Sequence, residues 1–187
     1  MVTADVKGDD NMARISQIDP ETAPADVKEA IAKHIAEGRK ITNEKRTLLH
    51  NVAAFNAVEV ASYAVDDELQ RLIGKLDGDL FEYAVSVEND CLVCTTYFSK
   101  LLREQHGIDP RSFTMTYRQE LLMEFGRRIA HTPKEVSDEL FEALKEEFRK
   151  DNDEDTVEEI MVVLTAMGVM MVANNYVNDI LQVDNEY

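Results

Sequence analysis

The chain has 187 residues, 44% of them hydrophobic, with only seven glycines and four prolines, which suits one helix-rich domain with a substantial core. Its net charge of −17 repels phosphate backbones and anionic lipid headgroups, so nucleic acid and membrane surfaces are excluded as expected partners. Two cysteines and a polar, aspartate-bearing start in place of a basic, then apolar leader give the expectation of a reducing, cytoplasmic setting.

Residues 1–12 are poor in apolar side chains and are expected to form a disordered tail, with residues 13–187 as a single domain. Pro24 to Gly38 predicts a first helix, with Val27, Ile31, His34 and Ile35 on one stripe. A second helix is expected from Asn43 to Leu49 and a third from Ala53 to Gly74, with His50 at the joint between them. Asp77-Gly78-Asp79 is expected to break the pattern and cap a helix from Leu80 to Glu88.

Further on, Leu121, Leu122, Phe125 and Ile129 predict a helix over Tyr117 to Ala130. Ser137 then caps another reaching Lys150. The acidic stretch Asp151 to Asp155 lacks the glycine and closing glutamate that a calcium loop requires. The last helix, Thr156 to Leu181, is apolar or glycine at every position from Ile160 to Ala173 except Thr165, so it needs cover on all sides. That run is shorter than the ~20 residues that span a bilayer, and a neighbouring subunit is its expected cover.

The chemistry centres on Cys91 and Cys94, a C-x-x-C pair preceded by Asn89 and Asp90, residue types that cap helices. Leu92, Phe98, Leu101 and Leu102 recur at helical spacing until Gly107, so Cys91 falls at a helix start and Cys94 one turn in. A helix N-terminus favours a thiolate, the form that reacts. Glu88 and Asp90 oppose that effect, so activation by the dipole alone is modest. A structural zinc needs about four ligands, and no second Cys pair or close His pair completes them, so no metal is expected. Asp79 and Glu82, one turn apart upstream, are the two candidate bases, and His50 is a possible supporting group.

The run Ala84-Val85-Ser86, then Asn89, then Cys91-x-x-Cys94 at the head of a helix, resembles the core motif of the carboxymuconolactone decarboxylase and alkylhydroperoxidase D-like superfamily. The likeness extends to TLLHNVAAFNAVEV upstream and to SDELFEALKEEF and NNYVNDILQV downstream, nearly the whole chain. It implies an all-α domain of about seven or eight helices, assembled as a homo-oligomer, a trimer or hexamer. It further implies a thiol-disulfide oxidoreductase that reduces a small hydroperoxide, with Cys94 as peroxidatic thiol, Cys91 as resolving thiol, Asp79 as base, no cofactor, and a dithiol reductant as partner.

The departures from that pattern leave two other readings open. The peroxidase branch places a glutamate where Asp79 stands, and histidines where Val93 and Phe98 stand. Phe98 cannot carry a proton, which fits a non-enzymatic member that has lost its proton relay. A lyase of the carboxymuconolactone decarboxylase kind is the other alternative, and it does not rely on a cysteine pair.

Overall fold

The structure, a computed structural model, describes residues 13–187; the expected tail at residues 1–12 lies outside the described residues. Eight helices succeed one another, and no strand occurs among the described residues. They are α1 (Ala25–Ala36), α2 (Asn43–Leu48), α3 (52–73), α4 (Lys75–Glu88), α5 (Leu92–His106), α6 (Tyr117–His131), α7 (Asp138–Arg149) and α8 (Glu154–Leu181). Within α3 the segments Val52–Phe55 and Ala61–Ile73 are joined without a break by a π-helical stretch, Asn56–Val60.

The starts of these helices follow local chemistry. Thr42, Asn51, Thr116, Ser137 and Asp153 each accept a backbone N–H of the following first turn, which satisfies a donor that the helix itself cannot. One expected boundary is corrected. No break occurs at Asp77-Gly78-Asp79, because α4 already begins at Lys75, after Gly74 turns the chain at a φ of +86° that suits glycine. Gly78 lies inside α4 with the side chains of Leu69 and Gln70 against it, and Asp79 and Glu82 therefore share one buried face of one helix.

Helix α4 is the centre of the domain. It packs along α5 and α6, while α3 and α8 cover its other sides. Phe81 and Val85 of α4 meet Leu122 and Phe125 of α6, Leu144 and Phe148 of α7, and Ile160 and Leu164 of α8 in one apolar core. Close approach requires glycine at two places. A Cβ on Gly126 would lie 3.1 Å from the Phe81 carbonyl oxygen, and one on Gly168 would lie 2.9 Å from Ile129 Cδ1. A second, smaller apolar cluster of Val27, Ile31, Leu48, Leu49 and Phe55 ties α1 and α2 to the start of α3.

Helix α8 departs from expectation in two respects. At 28 residues it is long and apolar enough to cross a membrane by length and composition, which the shorter apolar run did not suggest. Yet Val157, Ile160, Met161, Leu164, Met167 and Met171 are core residues, as expected for a buried helix of a globular domain. Its cover is also incomplete, because Val162, Val169, Tyr176 and Ile180 face outward, with Val162 68% and Ile180 62% exposed.

Candidate active site

Helix α4 ends at Asn89, which caps its C-terminus, and Asp90 takes a left-handed φ of 57°, a conformation that a short polar side chain tolerates better than most. The sharp turn is pinned from two sides: Asn89 Nδ2 donates to the Ala130 carbonyl at 3.1 Å, and Asn175 Nδ2 donates to Asn89 Oδ1 at 3.0 Å. Asn89 and Asp90 therefore shape the turn but do not cap α5. The cap is Cys91 itself, whose Sγ accepts the backbone N–H of Cys94 at 3.4 Å.

Both thiols are free and buried, Cys91 completely and Cys94 with 7% exposure. They sit one helical turn apart, and each is the main influence on the other's acidity. The Cys94 S–H lowers the pKa of Cys91, helped by the amide N–H of Cys94 and opposed by burial. The same contact, together with burial, pushes Cys94 well up. The two acidities therefore diverge, with ionisation easier at Cys91 than at Cys94.

The acidic residues singled out from the sequence both sit on α4. Asp79 is buried and is bonded to His106, whose Nε2 donates to Asp79 Oδ2 at 2.6 Å. Nine residues of helix at about 1.5 Å each separate Asp79 from the end of α4 where the thiols sit. Glu82 is buried on the same face, and burial, reinforced by Asp66 and Asp79, holds its carboxyl well above the ordinary range. No hydrogen bond among the described residues joins Asp79 or Glu82 to either sulfur. His50 is exposed and donates Nε2–H to the Ser16 carbonyl at 2.7 Å. Phe98 packs in the core, so the place of a family histidine is filled by apolar contact.

The side chain that does reach the Cys94 sulfur is Asn178 of α8, and behind it stand Glu44 of α2 and Glu59 of α3. Asn178 Nδ2 lies 3.4 Å from Cys94 Sγ and 2.9 Å from Glu44 Oε1, so one amide nitrogen bridges thiol and carboxyl. Glu44 is raised well above the usual carboxylate range, first by burial and then by the neighbouring Glu59, to which it is hydrogen-bonded. Glu59 in turn accepts from Tyr63 Oη at 3.1 Å and from Asn174 Nδ2 at 3.1 Å, and pairs with Lys45 Nζ at 3.5 Å. His34 packs edge-on against Phe55 nearby, neither of its ring nitrogens has a hydrogen-bond partner among the described residues, and burial and then Lys45 lower its pKa.

Glu44, Glu59, Asn174 and Asn178 were not picked out as site residues from the sequence. The available signal was the pair Asn174 and Asn178, polar groups four residues apart on the flank of an apolar helix, which places both on one face. Nothing in the sequence alone pairs that face with Glu44, 134 residues away.

No protein-family model matches the chain, and no curated protein does. Solved structures do match. The chain aligns with the alkylhydroperoxidase AhpD core structure of an uncharacterized peroxidase-related protein from Ralstonia eutropha JMP134, with a TM-score of 0.67 at 20% identity, over 93% of this chain and 92% of that one. An uncharacterized peroxidase-related protein from Silicibacter sp. TM1040 aligns with a TM-score of 0.65 at 16% identity, over 88% and 87%. Likeness at this identity establishes the fold alone: the chain has the all-helical alkylhydroperoxidase D-like fold, as the motif resemblance implied. Its buried C-x-x-C pair opens the first turn of α5.

Proposed function

We propose that the protein is a thiol-disulfide oxidoreductase that reduces small hydroperoxides through Cys91 and Cys94. The observation that carries this reading is the geometry at the start of α5, where two free, buried thiols lie one turn apart, Cys91 Sγ accepts the Cys94 N–H at 3.4 Å and Asn178 Nδ2 reaches Cys94 Sγ at 3.4 Å. Two buried thiols held in this way are poised to become a disulfide, and apolar packing alone does not call for a Cys91 Sγ that caps a helix.

In the first step the Cys94 proton passes to Cys91, and the Cys94 thiolate attacks the distal oxygen of the hydroperoxide. The O–O bond breaks, an alcohol leaves once its oxygen gains a proton, and Cys94 becomes a sulfenic acid, oxidised by two electrons. Cys91 then attacks the Cys94 sulfur, water leaves with the Cys91 proton, and the disulfide forms. A dithiol reductant returns two electrons and two protons by thiol-disulfide exchange, in a reducing compartment. The assignment of the attack to Cys94 follows the family resemblance, and the Asn178 amide at its sulfur supports a thiolate there although ionisation is easier at Cys91.

Replacing Cys91 by Ser tests the assignment. With hydroperoxide, Cys91→Ser should accumulate a sulfenic acid on Cys94 that a dimedone probe traps, whereas Cys94→Ser should trap little. Equal absence of the adduct in both variants, with wild-type thiols also unoxidised, would sink the peroxidase reading in favour of a non-enzymatic member of this fold.

A further inference from the structure

Reduction of a hydroperoxide needs a proton for the departing oxygen, because an alkoxide or hydroxide is a poor leaving group at neutral pH. This requirement rests on the peroxidase reading above. Asp79 is bonded to His106, Glu82 has no hydrogen bond to either sulfur, and Phe98 has no proton to give. The group one amide away from the reacting sulfur is Glu44.

The Asn178 carboxamide is informative about what happens between them. Its Nδ2 lies within reach of four acceptors: Glu44 Oε1, Cys94 Sγ, and the carbonyl and side-chain oxygens of Asn174 at 3.3 and 2.8 Å. Two amide hydrogens cannot serve four acceptors. The crowding is relieved only if some of those groups bring hydrogens of their own, as a carboxylic acid and a thiol do. Meanwhile Asn178 Oδ1 is buried and has no partner among the described residues. A buried acceptor beside a thiol is suited to the O–H of a hydroperoxide, which would otherwise enter with an unsatisfied donor.

We propose that Glu44, in its carboxylic acid form, is the proton donor to the oxygen that leaves when Cys94 attacks a hydroperoxide, and that Asn178 positions the substrate hydroxyl between them. The Glu44 proton bonds to the alkoxide oxygen as the O–O bond breaks, which leaves Glu44 as a carboxylate and releases the neutral alcohol. Solvent restores the proton after the disulfide has formed. Glu59 supports this exchange from behind: it accepts from Tyr63 and Asn174, pairs with Lys45, and shares the Glu44 hydrogen. The raised pKa of Glu44, caused first by burial and then by Glu59, acts in the direction of a retained proton.

The test compares leaving groups. Wild type and Glu44→Gln are each reacted with tert-butyl hydroperoxide, with peracetic acid and with iodoacetamide, and loss of free thiol is followed by stopped flow. Acetate and iodide leave without a proton, so only the alkyl hydroperoxide requires the acid. Glu44→Gln should lose on the order of 10²-fold in rate with tert-butyl hydroperoxide, the lower end for a lost general acid. Its rates with the other two reagents should stay close to wild type, and Glu44→Asp should recover part of the loss. A parallel fall with all three reagents, or no fall with any, would overturn the role of Glu44 while leaving the peroxidase reading intact. A wild type that reacts with iodoacetamide but with neither peroxide would overturn both.

Discussion

His106 Nε2 lies 2.6 Å from Asp79 Oδ2, and this bond joins the two residues at the end of the α4–α5 hairpin remote from the thiols. Burial pushes the Asp79 carboxyl up, and the hydrogen bond from His106 pulls against it. This bond cross-links α4 and α5. Asp79→Asn should lower stability by about 1–3 kcal/mol in urea titration, the usual cost of disturbing a buried charged hydrogen bond. It should leave the pH profile of thiol alkylation unmoved. A profile shifted to higher pH would restore Asp79 as the base that the family resemblance implied.

Glu82 gives a prediction with a sign. Its folded pKa is raised above the ordinary value of 4.5, so the folded protein keeps a proton that the unfolded chain has lost. Stability then falls as pH rises from about that value through the folded pKa. Glu44 acts in the same direction. Carboxyls with lowered pKa values, such as Glu154 at about 2, act in the opposite direction but below this window. Urea midpoints measured from pH 5 to pH 8 should decline for wild type, and Glu82→Gln should flatten that decline. An equal slope in both would show that Glu82 ionises freely.

Gly168 is where α8 approaches Ile129 most closely. In an exposed helix interior, glycine to alanine gains roughly 1 kcal/mol. Here the added Cβ meets Ile129 Cδ1 at 2.9 Å and Phe81 Cζ at 3.2 Å. Overpacking costs about 1–3 kcal/mol, so Gly168→Ala should be neutral to destabilising in thermal melts despite its better propensity. A clear rise in melting temperature would mean that the helices separate easily.

Val162, Val169 and Tyr176 recur every seven residues on the outer side of α8, with Ile180 on the same flank, and so present an apolar seam to solvent in the single chain. Such a seam suits a second copy of the chain, and the interface must outweigh the repulsion between subunits of charge −17. Light scattering at micromolar concentration should give a multiple of 21.2 kDa, a trimer or hexamer by the family resemblance. Val169→Asp should release folded single chains. A wild-type mass near 21.2 kDa would contradict the assembly.

The elements of the fold were largely legible because amphipathic periodicity and caps act locally. Ser137 caps α7 as expected, and the apolar stripe of α6 is where its spacing placed it. The α3–α4 break was misplaced because Asp77-Gly78-Asp79 carries every local mark of a turn, while tertiary packing of Gly78 against Leu69 keeps the helix intact. Cys91 and Cys94 stood out because their chemistry and spacing are contiguous. Glu44 and Asn178 did not, since their meeting depends on how α2 packs against α8, and no pattern in either segment encodes it.

If Cys91 and Cys94 form a reversible redox pair, a hydroperoxide converts them to a disulfide that a dithiol reduces again. Treating the reduced protein with a stoichiometric hydroperoxide and measuring the peptide that contains both residues by mass spectrometry tests it directly. A redox pair loses two hydrogens in that peptide and regains them with a dithiol reductant. Thiols that both remain reduced in excess oxidant, in a protein that is folded by circular dichroism, would contradict it.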